Sequence, residues 1–221
     1  MRLLGCKAPV LRFAENGVPV SFESVDLPSQ MQDRFRALAA AAKERPFVLR
    51  GSRADTLAVL SQMKDAGVIV FDAHACSLFA AENDKVTHDF FMKNLLNIIP
   101  GNRVILVGHR EFTYAGEAEF LKKNGVRIYS MQSLTMDSVE SVCDGLMEIA
   151  KDWPLCYVSV CLDVLDPVFA KVEHPSPGGL SVRELLYFVQ RLRMLRNFTA
   201  ADVVDGEGPV VEKLLVEFAA R

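Results

Sequence analysis

Four short, almost unbroken apolar runs constrain this chain more than any other feature. They are residues 68–72, 103–108, 155–163 and 197–205. A strand with one face in water alternates polar and apolar residues; a continuous run is the mark of a strand covered on both faces. Between the runs lie segments of helical spacing, such as Leu57, Leu60 and Met63, or the stripe Leu185, Leu186, Val189 and Leu192. Strand and helix therefore alternate, which predicts an α/β fold: three layers, with helices on both faces of a mainly parallel sheet. In such a sheet the ligand crevice lies outside the carboxyl ends of the strands. That is where three of these runs end on Asp72, Asp163 and Asp205, and the fourth leads into His109.

With 221 residues, half of them hydrophobic, the chain can bury one sizeable core, so a single domain over 1–221 is expected. A net charge of −3 and no run of Lys or Arg argue against nucleic acid as a partner. No apolar run approaches the roughly 18–20 residues that would span a membrane. The first ten residues lack the long apolar region of a secretory signal, so a cytoplasmic protein is expected. Five cysteines, an odd number without a Cys-x-x-Cys, give no disulfide framework. Cys6, Cys143 and Cys156 stand in apolar surroundings and read as small hydrophobes.

Along the chain, 2–9 and 18–24 read as strands with Glu15-Asn16-Gly17 as the turn between them. Helices are predicted over 29–44, 54–66, 89–98, 117–123, 136–153, from 181 onward and over 210–220. Thr135 or Asp137 is the expected cap of the 136–153 helix, and Ser181 with Glu184 forms a capping-box pattern. Further strands fall at 46–51 and 126–130. The long loop from Ala73 to about Val86 suggests a functional element or an insertion.

The strand ends supply Asp72, His74, Cys76, Cys161, Asp163 and Asp166. In extended chain, residues i and i+2 point to one side, so Asp-x-His and Cys-x-Asp can each offer two donors to one ion. Equally, Asp72 and His74 could cap neighbouring helices and Asp166 could start the Asp166-Pro167 turn.

The chain resembles the ureohydrolase superfamily of arginases, agmatinases and formiminoglutamases, from about residue 46 to the C-terminus. Asp72-Ala73-His74-Ala75-Cys76 matches that family's Asp-Ala-His-x-Asp. The segment Ser159 to Pro167, followed by Pro175-Ser176-Pro177-Gly178-Gly179-Leu180, matches its Ser-x-Asp-x-Asp-x-x-Asp-Pro and Pro-x-Pro-Gly-Gly-Leu elements. Leu49-Arg50-Gly51-Ser52-Arg53 stands where the family has Gly-Gly-Asp-His, and Asp202-Val203-Val204-Asp205 resembles its Asp-Val-Val-Glu. The resemblance implies an arginase-like fold, a trimer or hexamer, a small guanidino or amidino ligand, and a binuclear manganese site that activates water.

Of the six ligands implied, four Asp and two His, only Asp72, His74 and Asp163 are kept. Arg53 replaces the first His, and Cys76 and Cys161 replace two Asp residues. One implied metal loses three of its four ligands; the other keeps three and gains a thiol. Two readings follow. In the first, a single manganese or zinc ion is held by Asp72, His74 and Asp163, with Cys161 as a fourth donor. In the favoured one no cofactor is held, and the guanidinium of Arg53 forks to Asp72 or Asp163 in place of the cation.

The favoured expectation is therefore a non-hydrolytic binding or regulatory protein. The alternative is a single-metal hydrolase of amidine C–N bonds. His88 resembles the family's proton-moving histidine, although Asp89 stands where a Gly is usual. Asp205, with Glu207 as second candidate, stands where a Glu holds the guanidinium group. Cys76 and Cys161 should approach each other, as a redox pair or as thiols that Arg53 activates. His109 falls at the same sheet end. Lys171-Val172-Glu173-His174 replaces a crevice loop, so family specificity does not transfer.

Overall fold

The computed structural model describes residues 1–7, 9, 13–76, 90–112 and 115–220. Among them eight strands form one sheet: β1 (Arg2–Leu4), β2 (Glu23–Val25), β3 (Phe47–Gly51), β4 (Ala66–Phe71), β5 (Val104–His109), β6 (Arg127–Ser130), β7 (Leu155–Cys161) and β8 (Phe198–Val204). The order across the sheet is β2-β1-β3-β8-β7-β4-β5-β6, and every pairing is parallel. The four apolar runs became β4, β5, β7 and β8. All residues of β4, β5 and β8 are buried, and all but the first of β7, as two covered faces require.

Helices α1 (Met31–Ala41), α2 (Arg53–Leu60), α3 (Phe91–Leu96) and α4 (Glu117–Lys123) lie on one face. Leu38, Leu57, Phe91 and Leu121 seal a core there with Phe47, Val68 and Tyr157. On the other face α5 (Met131–Asp137), α6 (Val139–Ala150), α7 (Val182–Leu192) and α8 (Pro209–Ala219) bring Leu134, Leu146, Phe188 and Leu214 against Ile69, Val158 and Val203. The capping box of Ser181 and Glu184 opens α7 as its sequence predicts. A second, between Ser52 and Asp55, opens α2.

Two expectations are corrected. The turn at Gly17 exists, with Gly17 N–H donating to Ala14 O at 2.9 Å, but it closes only a local bridge between Phe13 and Pro19. The strands on either side pair in parallel, Arg2 opposite Glu23, so no hairpin joins them. The helix expected at 136–153 is two helices, broken at Ser138. Its φ of 65° is left-handed backbone that no helix interior tolerates. Ser138, not Thr135 or Asp137, caps α6, accepting from Ser141 N–H.

Candidate functional site

The site forms at the carboxyl ends of four adjacent strands, β3, β8, β7 and β4. Arg53 is the first residue of α2, just after β3. Asp72, His74 and Cys76 follow β4, Cys161 and Asp163 stand at the end of β7, and Asp205 follows β8. Cys76 (φ 47°) and Asp205 (φ 54°) are two of the three non-glycine residues with left-handed backbone among the described residues. That conformation costs energy and clusters at functional sites.

Arg53 and Asp72 are 3% and 1% exposed. The guanidinium donates from Nη2 to Asp72 Oδ2 and from Nη1 to Ser159 Oγ at 3.2 Å. Its Nε lies 3.3 Å from Asp205 Oδ2, an ion-pair distance at which the N–H is not aligned for a hydrogen bond. The Phe91 ring covers its face at 4.3 Å. A cation at the first position of a helix meets the wrong end of the helix dipole, and burial also opposes its charge. The carboxylates, Asp72 first and then Asp205, more than offset this and keep the guanidinium protonated. Of the two carboxylates proposed for Arg53, the geometry selects Asp72.

Asp72 Oδ1 accepts the His74 backbone N–H at 2.9 Å. Asp163 Oδ1 accepts from Ala73 N–H at 3.3 Å, and its Oδ2 pairs with His74 Nδ1 at 2.8 Å. Burial, and then the charge of Asp163, push Asp72 up against the pull of Arg53. Burial also opposes the charge of Asp163, but His74, the Cys161 thiol and Arg53 hold its carboxyl well below the usual range. The bond to Asp163 raises His74 in turn, against burial. The ligand atoms of Asp72, His74 and Asp163 all lie within 4.8 Å of one another, and among the described residues no other group of three does so. Cys161, expected as a fourth donor, is not one of these three and stands beside Asp163. Its thiol donates to Asp205 Oδ2 at 3.7 Å.

Both thiols behave differently from the activated pair that the sequence suggested. Cys76 donates to Asp72 Oδ2 at 3.8 Å, whereas Cys161 lies between Asp205 and Asp163. Both thiols are buried. Burial and the nearby carboxylates raise both thiols well above their ordinary value, more than Arg53 lowers them. His88 and Asp89 lie outside the described residues. Asp205 is beside Arg53, partly open to solvent. Glu207 exchanges backbone hydrogen bonds with Lys171 at 2.9 and 3.2 Å and lines a hollow of about 250 Å³ with Lys171, Glu173 and Asp205. His109 is buried, its Nε2 unpartnered among the described residues, with its ring tilted against Phe112 at 4.1 Å; burial lowers its pKa. Asp166 takes neither ligand nor cap; it accepts from Val168 and Gly178 N–H in the Asp166-Pro167 turn. Gly179 follows, where any Cβ would lie 2.5 Å from Val164 O.

Three supporting groups escape sequence reasoning. Ser159 Oγ, which receives Arg53, donates to Asp202 Oδ1 at 2.7 Å, while Thr56 Oγ1 and Tyr157 OH donate to Asp202 Oδ2 at 2.7 and 2.8 Å. Ser159 and Asp202 are opposite each other across β7 and β8. The available signal is two polar residues inside apolar runs, Ser159 and Asp202, since a buried polar group demands a partner. Arg110 donates to the carbonyls of Asp163 and Ser176 at 2.6 Å each and to Leu165 O at 3.2 Å, pinning the turn that carries Asp163. Glu111 Oε2 lies 3.6 Å from His74 Nε2.

The donor set does not fit two metal ions. A fixed guanidinium occupies Asp72 Oδ2 and faces Asp205, and the remaining oxygens of Asp72 and Asp163 already accept from the chain itself. Three donors remain close enough for one ion.

Comparison with known proteins matches residues 11–210 to the model of the arginase family. Mitochondrial arginase 1 of rice (Oryza sativa subsp. indica) is 30% identical over 167 residues, which cover 73% of this chain and 47% of that protein. The chain spans about half the length of the curated relatives it matches. Among solved structures, proclavaminate amidino hydrolase of Streptomyces clavuligerus superposes with a TM-score of 0.81 at 19% identity, covering 99% of this chain and 89% of that one. Formimidoylglutamase of Bacillus subtilis gives 0.79 at 21% identity, covering 93% and 73%. At these identities the likeness concerns the fold. No helix among the described residues is long and apolar enough to cross a membrane.

Proposed function

The chain belongs to the arginase family, and on that premise we propose that it is a non-hydrolytic member, a binding or regulatory protein that holds no binuclear metal centre. The observation that carries this is the hydrogen bond from Arg53 to Asp72. Removing two divalent ions from a carboxylate-rich crevice would leave buried charges uncompensated, which is costly. Replacing two carboxylates by Cys76 and Cys161 lowers the negative charge, and Arg53 supplies one fixed positive charge. A small guanidino or amidino ligand, if bound, meets the open edge of Asp205 and the hollow beside Lys171 and Glu207. A homo-oligomer, trimer or hexamer, is proposed from the family alone.

The test is release of urea or ammonia from arginine, agmatine, guanidinobutyrate and formiminoglutamate, first with Mn²⁺ and then with Zn²⁺. No turnover is expected. Turnover abolished by Asp163→Ala would overturn the proposal.

A second reading rests on the cluster of Asp72, His74 and Asp163. These residues would hold a single manganese or zinc ion, which would supply Lewis acidity toward an amidine C–N bond. In that case protein purified without chelator carries close to one equivalent of metal, and Asp163→Ala loses it.

A further inference from the structure

The groups around the Arg53 head group are a receptor of a definite kind. Asp72 Oδ2 accepts at one guanidinium nitrogen and Ser159 Oγ at another, while Asp205 stands 3.3 Å from the third. The Ser159 hydroxyl is aimed by its own bond to Asp202, a fully buried carboxylate held by Thr56 and Tyr157. Phe91 covers the planar face at 4.3 Å. Two carboxylates, a hydroxyl and an aromatic face suit a flat, delocalised cation with several donors. A tetrahedral ammonium is a compact, strongly hydrated point charge that offers neither a planar fork to the carboxylates nor a flat face to the ring.

We propose that this receptor binds guanidinium head groups and that Arg53 is its resident ligand, supplied by the chain itself. The inner crevice is thereby closed to external guanidino compounds. Shortening Arg53 opens it to them. This rests on the reading that Arg53 stands in place of a metal cation, and it goes further by naming the class of molecule that the vacated place accepts. Because Arg53 is 3% exposed and sits on the first turn of a helix whose cap is already satisfied by Ser52 and Asp55, its head group has no open route aside. An incoming ligand therefore competes with a tethered one at high effective concentration.

The experiment uses the full chain as Arg53→Ala. Thermal unfolding is measured with methylguanidinium and, separately, methylammonium, at equal millimolar concentration and ionic strength. Methylguanidinium is expected to raise the melting temperature of the variant and not that of the wild type. At about 100-fold above its dissociation constant a one-site ligand raises the folded-to-unfolded ratio about 100-fold. Equal shifts with the two cations, or an equal shift in the wild type, overturn the proposal. So does stabilisation of the variant by Mn²⁺ but not by methylguanidinium, since the place would then suit a metal.

If Arg53→Ala does not fold unaided, refolding yield gives the same comparison. Recovery with methylguanidinium alone supports the assignment, and no recovery or equal recovery refutes it. Metal content is read on the same wild-type samples. A full equivalent of metal there defeats the non-hydrolytic reading, whereas loss of cation selectivity with a metal-free wild type defeats only the internal-ligand assignment.

Discussion

Replacing Arg53 by Met isolates the charge of the crevice from its packing. Met retains an unbranched stem of similar reach against Phe91, so the principal loss is the cation. Asp72, 1% exposed, is then left with the His74 N–H and the weak thiol donor of Cys76. Breaking a buried pair by removing one partner costs about 3–5 kcal/mol. Asp205 adds little, being partly solvated and not aligned with Arg53 Nε. Urea is the denaturant of choice, because guanidinium chloride would supply the proposed ligand. With a urea slope of about 2–3 kcal/mol per molar, the midpoint should fall by roughly 1.5 M.

The cost also has a pH signature. Burial and Asp163 already push Asp72 up against the pull of Arg53, and loss of Arg53 raises it further. A carboxylate whose folded pKa lies above its unfolded value binds more protons when folded, so it lowers stability as pH rises from about 4 through the folded value. The deficit of the variant should therefore be smaller at pH 6 than at pH 8, and Asp72→Asn in the same background should flatten it. A loss below about 1 kcal/mol at pH 8, the range of an exposed ion pair, would refute the view that Arg53 neutralises the crevice.

Three further outcomes follow from single groups. His109→Leu should leave the protein at least as stable at neutral pH, since it removes an unpartnered buried nitrogen together with the ring's hydrogen bond to the Glu111 backbone. Its benefit should grow as pH falls below 6.5, because burial lowers the His109 pKa and the folded state resists the proton; urea melts at pH 7 and 5 that show a loss at both would reject this. His74 is raised above 6.5 by its bond to Asp163, so its contribution is full below that pH and fades as pH rises through the folded value. The stability gap between wild type and His74→Gln should narrow above pH 6.5, and a gap that widens contradicts the assigned bond. Cys76 and Cys161, both raised well above 9.0, should alkylate far more slowly in the native protein than an ordinary exposed thiol; mass-mapped labelling of either at the exposed rate would restore the reactive-thiol idea.

How much of the site was legible varies with the range of the contact. The strand ends announce themselves because each run stops on ionisable residues, and the i, i+2 rule puts Asp72 and His74 within one short segment. The change of three family positions to Arg53, Cys76 and Cys161 is visible in the letters alone. The thiol chemistry is not: proximity to Arg53 suggests activation, and only burial reverses the sign. The N-terminal pairing is not legible in the same way, because a turn signal at Gly17 is local, whereas the direction in which β2 meets β1 is set by where the intervening chain returns.

The amino-acid sequence by itself determined that this chain forms a helix-covered parallel sheet with a crevice at its carboxyl edge. Apolar periodicity and helix caps are properties of neighbouring residues, and they act wherever the chain goes. The tertiary structure alone decided what fills that crevice. It chose Asp72 over Asp163 for Arg53, set Ser159 opposite Asp202, laid Phe91 over the guanidinium and buried both thiols. Each of these depends on strand order and on the dryness of the place where distant segments meet. A guanidinium in water is a solvated cation; enclosed between Asp72 and Asp205 it becomes the crevice's own counter-ion.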